Sequence, residues 1–542
     1  MKSYPGKQSV PIVLLAIVTA GLLMLTAACA SAQESARAPG RVMAQQATKN
    51  QSNWTTADHS KYAALQKTFK SGEEITQACI SCHSEAAEQF KQTIHWKWIG
   101  FADEHGKKLG KAGDSVNNFC ISTNNMEDKK CLECHTGWNG MQGGINCLKC
   151  HSGKKLNWSE AFADYHAFAE SDDPAKKQAA GEIQAKIQAA AHDVGPPTRR
   201  NCGECHFKGG GGDGVKHGDL DSSLIKPNKA LDVHMGTDNQ DFQCTRCHTT
   251  VGHHVAGRIY SRPAFQKRQS LIENDLTAKI SCESCHGRTP HEPGHKANDH
   301  TDKVACQACH IPEFARSMPT KVFWDWSAAG KLKDGKPYKE KGPLGTIDYA
   351  TIKGAMVWGK NVRPEYAWFN GAMKTLTVKD TIDPTQVVAI TEPIGSPQDS
   401  HSRIFPFKVN RGKQPYDKVH KNMLAPMVSG EDGYWATLDW QRAISAGMQA
   451  MNLPFSGEID FVQTSYVFPT THMVAPKDNV VACTECHTRE NGRMAGIAGV
   501  YIPGRDRIGV LHTLGLVIVL GSLAGVCLHG LGRIFASGRK ER

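Results

Sequence analysis

Two long runs without a charged residue stand near the ends of this chain, and between them apolar positions come only in short stretches. The first run, VPIVLLAIVTAGLLMLTAACA (10–30), follows Lys2 and Lys7 and leads into Ala30-Ser31-Ala32. A basic start, an apolar stretch and a small-x-small site mark an export signal, which predicts a mature chain from about Gln33. A lipid anchor through Cys29 is the alternative, with Thr26 standing where such a signal usually has a leucine-like residue. The second run, IGVLHTLGLVIVLGSLAGVCL (508–528), is long enough to cross a bilayer core of about 30 Å as one helix. Arg533, Arg539, Lys540 and Arg542 follow it against Glu541, while Arg505 and Arg507 precede it against Asp506. That bias predicts a cytoplasmic C-terminus and the bulk of the chain on the periplasmic side of an inner membrane.

The interior is patterned weakly. PAKKQAAGEIQAKIQAAAH (174–192) opens with proline and is rich in strong helix formers, so it is expected to be helical, packed or as a solvated spacer. Elsewhere between residues 79 and 310 the pattern reads as short helices and loops with little strand alternation. FKGGGGDG (207–214) lacks the Lys-Ser/Thr pair of a phosphate-binding loop and is expected to be a connecting loop around a cofactor edge.

The chemistry lies in the cysteines. Cys-x-x-Cys-His occurs eight times, using Cys79 and Cys82, Cys131 and Cys134, Cys147 and Cys150, Cys202 and Cys205, Cys244 and Cys247, Cys282 and Cys285, Cys306 and Cys309, and Cys483 and Cys486. These take 16 of the 19 cysteines. This is the attachment sequence of c-type haem, in which two thioethers hold the macrocycle and the histidine binds iron. Zinc sites need paired sets of ligands and do not require histidine after every second cysteine. The reading is eight covalent haems, with His83, His135, His151, His206, His248, His286, His310 and His487 as motif ligands. Cys120 is left over without a physical account.

Eight macrocycles supply much of the core that side chains would otherwise provide. The expected fold is therefore a mainly α and irregular multihaem cytochrome c with a haem-packed core and one C-terminal transmembrane helix. Its expected parts are an export signal (1–32), an N-terminal segment (33–78), a seven-haem region (79–310), a cysteine-free region (311–482), an eighth-haem segment (483–507), the membrane helix (508–528) and a cytoplasmic tail (529–542). The formal charge of +11 does not indicate nucleic acid, because haem carboxylates and ferric iron bring the holoprotein near neutrality. No basic helix with interleaved aromatics is present.

An electron-carrying haem has both axial positions filled, whereas a haem that does chemistry leaves one for substrate. Of the 25 histidines, 17 lie outside the motifs. The favoured distal ligands are His95, His166, His217, His234, His254, His295 and His472, with His105, His192, His253, His291, His300, His401 and His420 as competitors. The cysteine-free region holds WGKNVRPEYAWFNGAM and SRIFPFKVNRGKQPYD, whose cations either cover haem carboxylates or face an oxyanion. Arg363, Lys408, Arg411 and Lys413 are the substrate-binding candidates.

The motif count and spacing, VKHGDLD (215–221), DVHM (232–235), WGKNVRPEYAWFNG (358–371) and HMVAPKDNVVACTECHTR (472–489) resemble the octahaem tetrathionate reductase family. The likeness covers about residues 75 to 495, and the membrane tail departs from the soluble members. It implies seven bis-histidine relay haems and one catalytic haem, near the N-terminal end, whose iron takes a lysine amine and an exchangeable ligand. Lys154 and Lys155, just after the third motif, are the candidate amines for a catalytic haem on Cys131 and Cys134, and His135 then need not bind iron.

The function this implies is a membrane-anchored periplasmic reductase of tetrathionate, nitrite or hydroxylamine, fed by a quinol-oxidising or cytochrome b-type membrane partner. A conduit with eight bis-histidine haems and a hydroxylamine-oxidising enzyme are the alternatives, and a homo-oligomer is an open possibility. His512 and His529 stand about 26 Å apart on the predicted membrane helix. They raise the further option of a b-type haem or quinol held against a partner helix packed on GSLAG (521–525).

Overall fold

The computed structural model describes residues 38–48, 57–100, 108–117, 132–257 and 281–537. The export signal, Cys29, His105, Cys120, Cys131 and the basic residues of the tail from 538 onward lie outside the described residues.

The N-terminal half is helical around the motifs. Helix α1 (Gly72–Ile80) begins where the Ser71 hydroxyl accepts the Glu74 N–H, with Glu73 and Glu74 in its positive first turn. It buries Ile75 and Ala78 against Phe69, Leu148 and Ile187. Helices α2 (Trp158–Ala169) and α3 (Pro174–His192) pack together as a hairpin. Asp173 caps α3 by accepting the Ala175 N–H at 2.9 Å, and Pro174 fills the first turn. Ala180, Ile187, Ala190 and Ala191 of α3 are buried, so this helix buttresses the first and third motifs. Helix α4 (Arg199–His206) carries the fourth motif.

Residues 320–469 build an eight-stranded sheet, which corrects the expectation of a mainly α and irregular fold. Its strands are β1 (Thr320–Asp325), β2 (Lys339–Lys341), β3 (Ile347–Ala350), β4 (Gly354–Gly359), β5 (Glu365–Phe369), β6 (Val388–Ala389), β7 (Arg403–Asp417) and β8 (Ile459–Pro469). The order is β6-β8-β7-β1-β4-β3-β2, with β5 pairing the start of β7. Pairing is parallel for β6 with β8 and for β7 with β1, and antiparallel elsewhere. Helix content is 34% and strand content 18%.

The sheet has two different faces. Phe369, Phe405, Tyr466 and Phe468 line the central cavity, so the sheet walls the region where the motifs meet. Trp324 and Trp326 stack at 4.4 Å in a second core, which Trp440 of α5 (Trp440–Ala450) joins. The Gly-rich loop packs on this sheet: Gly211, at φ 103°, lies beside Trp324, and residues 208–215 do not line the cavity. This corrects its expected place at a cofactor edge.

Helix α6 (Gly509–Ser537) is the one helix among the described residues long and apolar enough to cross a membrane. It is exposed from Gly509 to Ala536.

Candidate haem centres

Each of the seven motifs described in full sits on a single helical turn. The N–H of the motif histidine donates to the carbonyl of the first cysteine four residues back: His83 to Cys79 at 2.9 Å, His151 to Cys147 at 3.1 Å, His248 to Cys244 at 2.9 Å, His286 to Cys282 at 2.9 Å and His487 to Cys483 at 2.9 Å. Positions i, i+3 and i+4 share one helix face. Both sulfurs and the imidazole therefore point the same way, as two thioethers and an iron bond to one macrocycle require.

Seven motif histidines face a second histidine across the cavity. The ring centroids are 6.2 Å apart for His83 and His59, 6.4 Å for His151 and His253, and 6.2 Å for His206 and His95. They are 6.2 Å apart for His248 and His472, 6.0 Å for His286 and His234, 6.1 Å for His310 and His291, and 6.0 Å for His487 and His300. Two imidazoles bound to one metal through bonds of about 2 Å each place their centroids about 6 Å apart. Burial pushes His206 down to about 3 and His310 to about 4, each reinforced by neighbouring imidazoles. Both rings are neutral at neutral pH, the form that binds metal.

The ring nitrogens away from the cavity are anchored. Nδ1–H of His151 donates to Gly195 O at 2.9 Å, that of His248 to Ala256 O at 2.7 Å and that of His487 to Pro503 O at 2.8 Å. This fixes the tautomer and leaves Nε2 for iron. On the distal side, Asp219 Oδ2 lies 3.3 Å from His472 Nδ1 and accepts the N–H groups of Thr471 and His472.

The cavity that these residues line has a volume of about 3880 Å³, several times that of a single small-molecule pocket of about 300–1,000 Å³. Every described motif cysteine lines it, as do seven of the motif histidines. These side chains fit covalent haems.

His135 differs from the other seven. Its Nε2–H donates to the Trp96 carbonyl at 2.8 Å, and its Nδ1 accepts the Gly137 N–H at 3.1 Å. The ring is fully buried and flanked by Trp96 and Trp98, each at 5.0 Å. Both nitrogens are used inside the protein, and the ring does not line the cavity, whereas the neighbouring Cys134 does.

Comparison with known proteins agrees with this arrangement. The family model described as Cytochrome c bacterial matches residues 321–490, and that described as Cytochrome c554 and c-prime matches 78–146. The octaheme cytochrome c from Shewanella oneidensis, a solved structure, is 35% identical over 80% of this chain and 94% of its own, with a TM-score of 0.67. This chain belongs to the octahaem c-type cytochromes. No curated protein matches it.

The cytochrome places the other expected residues as follows. His95, His234 and His472 each face a motif histidine, whereas four favoured distal histidines do not. His166 is exposed and bonded to Lys70 O at 2.8 Å. His254 and His295 yield to their neighbours His253 and His291. His217 lines the cavity but packs on Phe468 at 4.9 Å. Among the competitors, His192 bonds Leu65 O, His420 bonds Asp417 and His401 is exposed. His59 was absent from the expected set. Its only sequence signal is its position, 24 residues before His83.

The lysines and arginines also moved. Lys154 pairs with Asp193 at 3.7 Å and Lys155 with Glu204 at 3.0 Å, and both are more than half exposed. Lys149, inside the third motif, instead reaches the second: its Nζ donates to Glu133 O at 3.0 Å and to His135 O. Arg411 forms a two-pronged pair with Glu365, Arg363 bonds Asn491 O, and Lys413 is half-buried. Lys408 is buried and donates to Val215 O at 2.7 Å, Lys216 O at 3.0 Å and Thr320 Oγ1. None of these four lines the cavity. Lys408 instead clamps the segment that presents His217.

Among the described residues, Lys111 and Lys149 both lie within electrostatic reach of Cys134. Lys111 and Lys216 both act on His206.

The sulfurs give the order of the centres. Cys79 neighbours Cys147, Cys150 neighbours Cys202 and Cys205, and Cys202 neighbours Cys244. Cys247 neighbours Cys285, Cys282 neighbours Cys306, and Cys309 neighbours Cys483 and Cys486. Cys205 Sγ lies 3.6 Å from the Cys134 carbonyl. The motifs thus follow one another as first, third, fourth, fifth, sixth, seventh and eighth, with the second branching from the fourth.

Proposed function

We propose that this cytochrome is a membrane-anchored reductase of small sulfur or nitrogen oxyanions, with tetrathionate, nitrite and hydroxylamine as substrates, and that the second motif holds its catalytic haem. One observation carries the reading: among the described residues, His135 alone of the eight motif histidines has both ring nitrogens bonded within the protein, while the other seven each face a histidine. When bound, the haems supply one-electron steps and, at the second motif, an iron position open to substrate.

The residues around that position divide the remaining work. Lys149, already directed at the second motif, replaces Lys154 and Lys155 as the candidate amine ligand, which must be neutral to bind metal. Lys111 and Lys216 draw an anion toward the branch point. His217, in the cavity wall without a facing motif histidine, is kept neutral by burial and is placed to hydrogen-bond the substrate. The seven facing pairs hold relay haems, and α6 anchors the protein on the membrane that holds its electron donor.

The test is low-temperature EPR and near-infrared magnetic circular dichroism of the ferric protein, with nitrite and hydroxylamine added separately, beside viologen-driven turnover of each substrate. Seven bis-histidine signals and one that changes with added ligand are expected. Eight bis-histidine signals indifferent to every substrate would overturn the reading and leave a conduit.

A further inference from the structure

The segment that leads into α6 is bonded to one haem centre, the eighth. His487 Nδ1–H donates to the Pro503 carbonyl at 2.8 Å, and the His487 ring faces His300 at 6.0 Å. The chain then passes under His487 at Gly504, where φ is +88° and an added Cβ would lie 2.7 Å from the His487 carbonyl oxygen. Only glycine takes that conformation at that distance without strain.

Arg505 locks the strap. Its guanidinium donates to Met494 O at 2.7 Å, Ile497 O at 2.6 Å and Val500 O at 2.8 Å, and pairs with the Asp506 carboxylate at 2.7 Å. Asp506 in turn accepts the Ile502 N–H at 2.7 Å. Met494, Ile497 and Ile502 pack with Ala308 of the seventh motif and Cys486 of the eighth. Helical bonding begins with His512 N–H to Ile508 O at 3.0 Å. From Pro503 to Gly509 is six residues, at most about 20 Å of extended chain.

Tyr501 is 52% exposed and also lines the cavity. It precedes α6 by eight residues, and aromatic residues flanking a membrane helix suit the interface. Among the described residues, the eighth centre lies at one end of the sulfur sequence, next to the seventh. Among the described residues, no other motif histidine is bonded to the strap.

We propose that the eighth haem centre, held by His487 and His300 at the root of α6, is the port through which a hydroquinone-oxidising membrane protein reduces this cytochrome. The proposal rests on the membrane anchoring proposed above and adds which centre faces the donor. One hydroquinone loses two electrons and two protons at the partner and becomes the quinone. The electrons enter one at a time and reduce two ferric irons to ferrous, while the protons leave at the partner. The route inward then runs from the eighth centre through the seventh, sixth, fifth and fourth to the second.

The test uses the full-length chain in native membranes with duroquinol as donor, read as the rate of haem reduction rather than substrate turnover. A rigid (EAAAK)₃ spacer between Arg507 and Ile508 lifts the strap by about 22 Å. Duroquinol-driven reduction is expected to slow at least tenfold, with dithionite reduction and viologen-driven turnover unchanged. In the His300→Met variant, the eighth centre gains a histidine-methionine signature and a higher potential, and that signature is expected to report reduction in the first kinetic phase.

A spacer variant as fast as the parent, or a marked centre reduced after the others, overturns the port. A parent chain released from membranes by alkaline carbonate overturns the anchoring and the port together. Absence of substrate turnover with normal duroquinol reduction overturns the reductase reading alone.

Discussion

The Nε2–H of His135 donates to the carbonyl of Trp96 at 2.8 Å, which occupies the nitrogen that the other motif histidines turn toward the cavity. A ligand role would break this bond and the one from Gly137 N–H. The His135→Leu variant is expected to keep the full haem content by pyridine haemochrome and an unchanged low-spin spectrum. Its stability falls by about 1–3 kcal/mol, because buried partners are left unpaired. His151→Leu is the control and should convert one low-spin centre to high spin.

Lys149 and Lys154 separate the two candidate amines by their surroundings. Lys149→Ala is expected to abolish the ligand-sensitive EPR signal and reduce viologen-driven turnover at least a hundredfold. Lys154→Ala removes only an exposed pair with Asp193, which is worth at most about 1 kcal/mol. Its spectrum and turnover should match the parent. The reverse pattern would return the ligand to the segment after the third motif.

His59 and His166 test the facing pairs in the same way. His59 lies 6.2 Å from His83, and His59→Ala is expected to add one high-spin centre that binds cyanide or carbon monoxide. His166→Ala should leave the spectrum unchanged, since that ring bonds Lys70 O at the surface.

How much of this was legible follows from what each feature depends on. The attachment sites are local, one helical turn in each of the seven motifs described in full, and the sequence spells them out. The facing histidines are tertiary. His253 wins over His254 because Gly252 and His253, at φ 53° and 65°, make a tight hairpin turn that aims His253 at His151. No periodicity announces a histidine in that conformation. The sheet was hidden for another reason: β7 is buried along most of its length and holds Lys408, Asn410 and Gln414 inside, so apolar and polar residues do not alternate. Nothing in the sequence singles out Lys149, which lies inside a motif, and only the fold brings it against His135 O.

Asp417 makes the sheet region acid-sensitive. Burial alone would raise its carboxyl. The N–H groups of His420 and Ser456, the Ser456 hydroxyl and the His420 ring together hold it down at about 2. A carboxylate depressed below its unfolded value near 3.8 contributes stability that is fully present above about pH 4. That contribution is lost as pH falls through about 2, and is of order 2 kcal/mol. Asp417→Asn is expected to lower the chemical-denaturation midpoint at pH 7 and to narrow the gap to the parent as pH falls toward 2. A gap that stays constant with pH would mean the carboxylate charge plays no part.

Asp219 offers a means of tuning one relay centre without touching a ligand. Its Oδ2 lies 3.3 Å from His472 Nδ1, and the same oxygen accepts the Thr471 and His472 N–H groups, so the His472 ring faces His248 in a fixed orientation. A carboxylate behind an iron-bound imidazole raises its basicity and favours ferric over ferrous iron. Asp219→Asn keeps an oxygen acceptor for the two backbone donors and removes the charge. The fifth centre is then expected to rise in potential by on the order of 60 mV, a tenfold change for a one-electron couple. Spectropotentiometry reads this as one component displaced upward among unmoved neighbours. The fifth centre sits between the sixth and the fourth, so the raised potential also makes it a trap. Single-turnover transfer toward the second motif should slow by a similar factor, while low-spin spectra remain those of the parent. A titration superimposable on the parent would show that Asp219 holds the backbone alone.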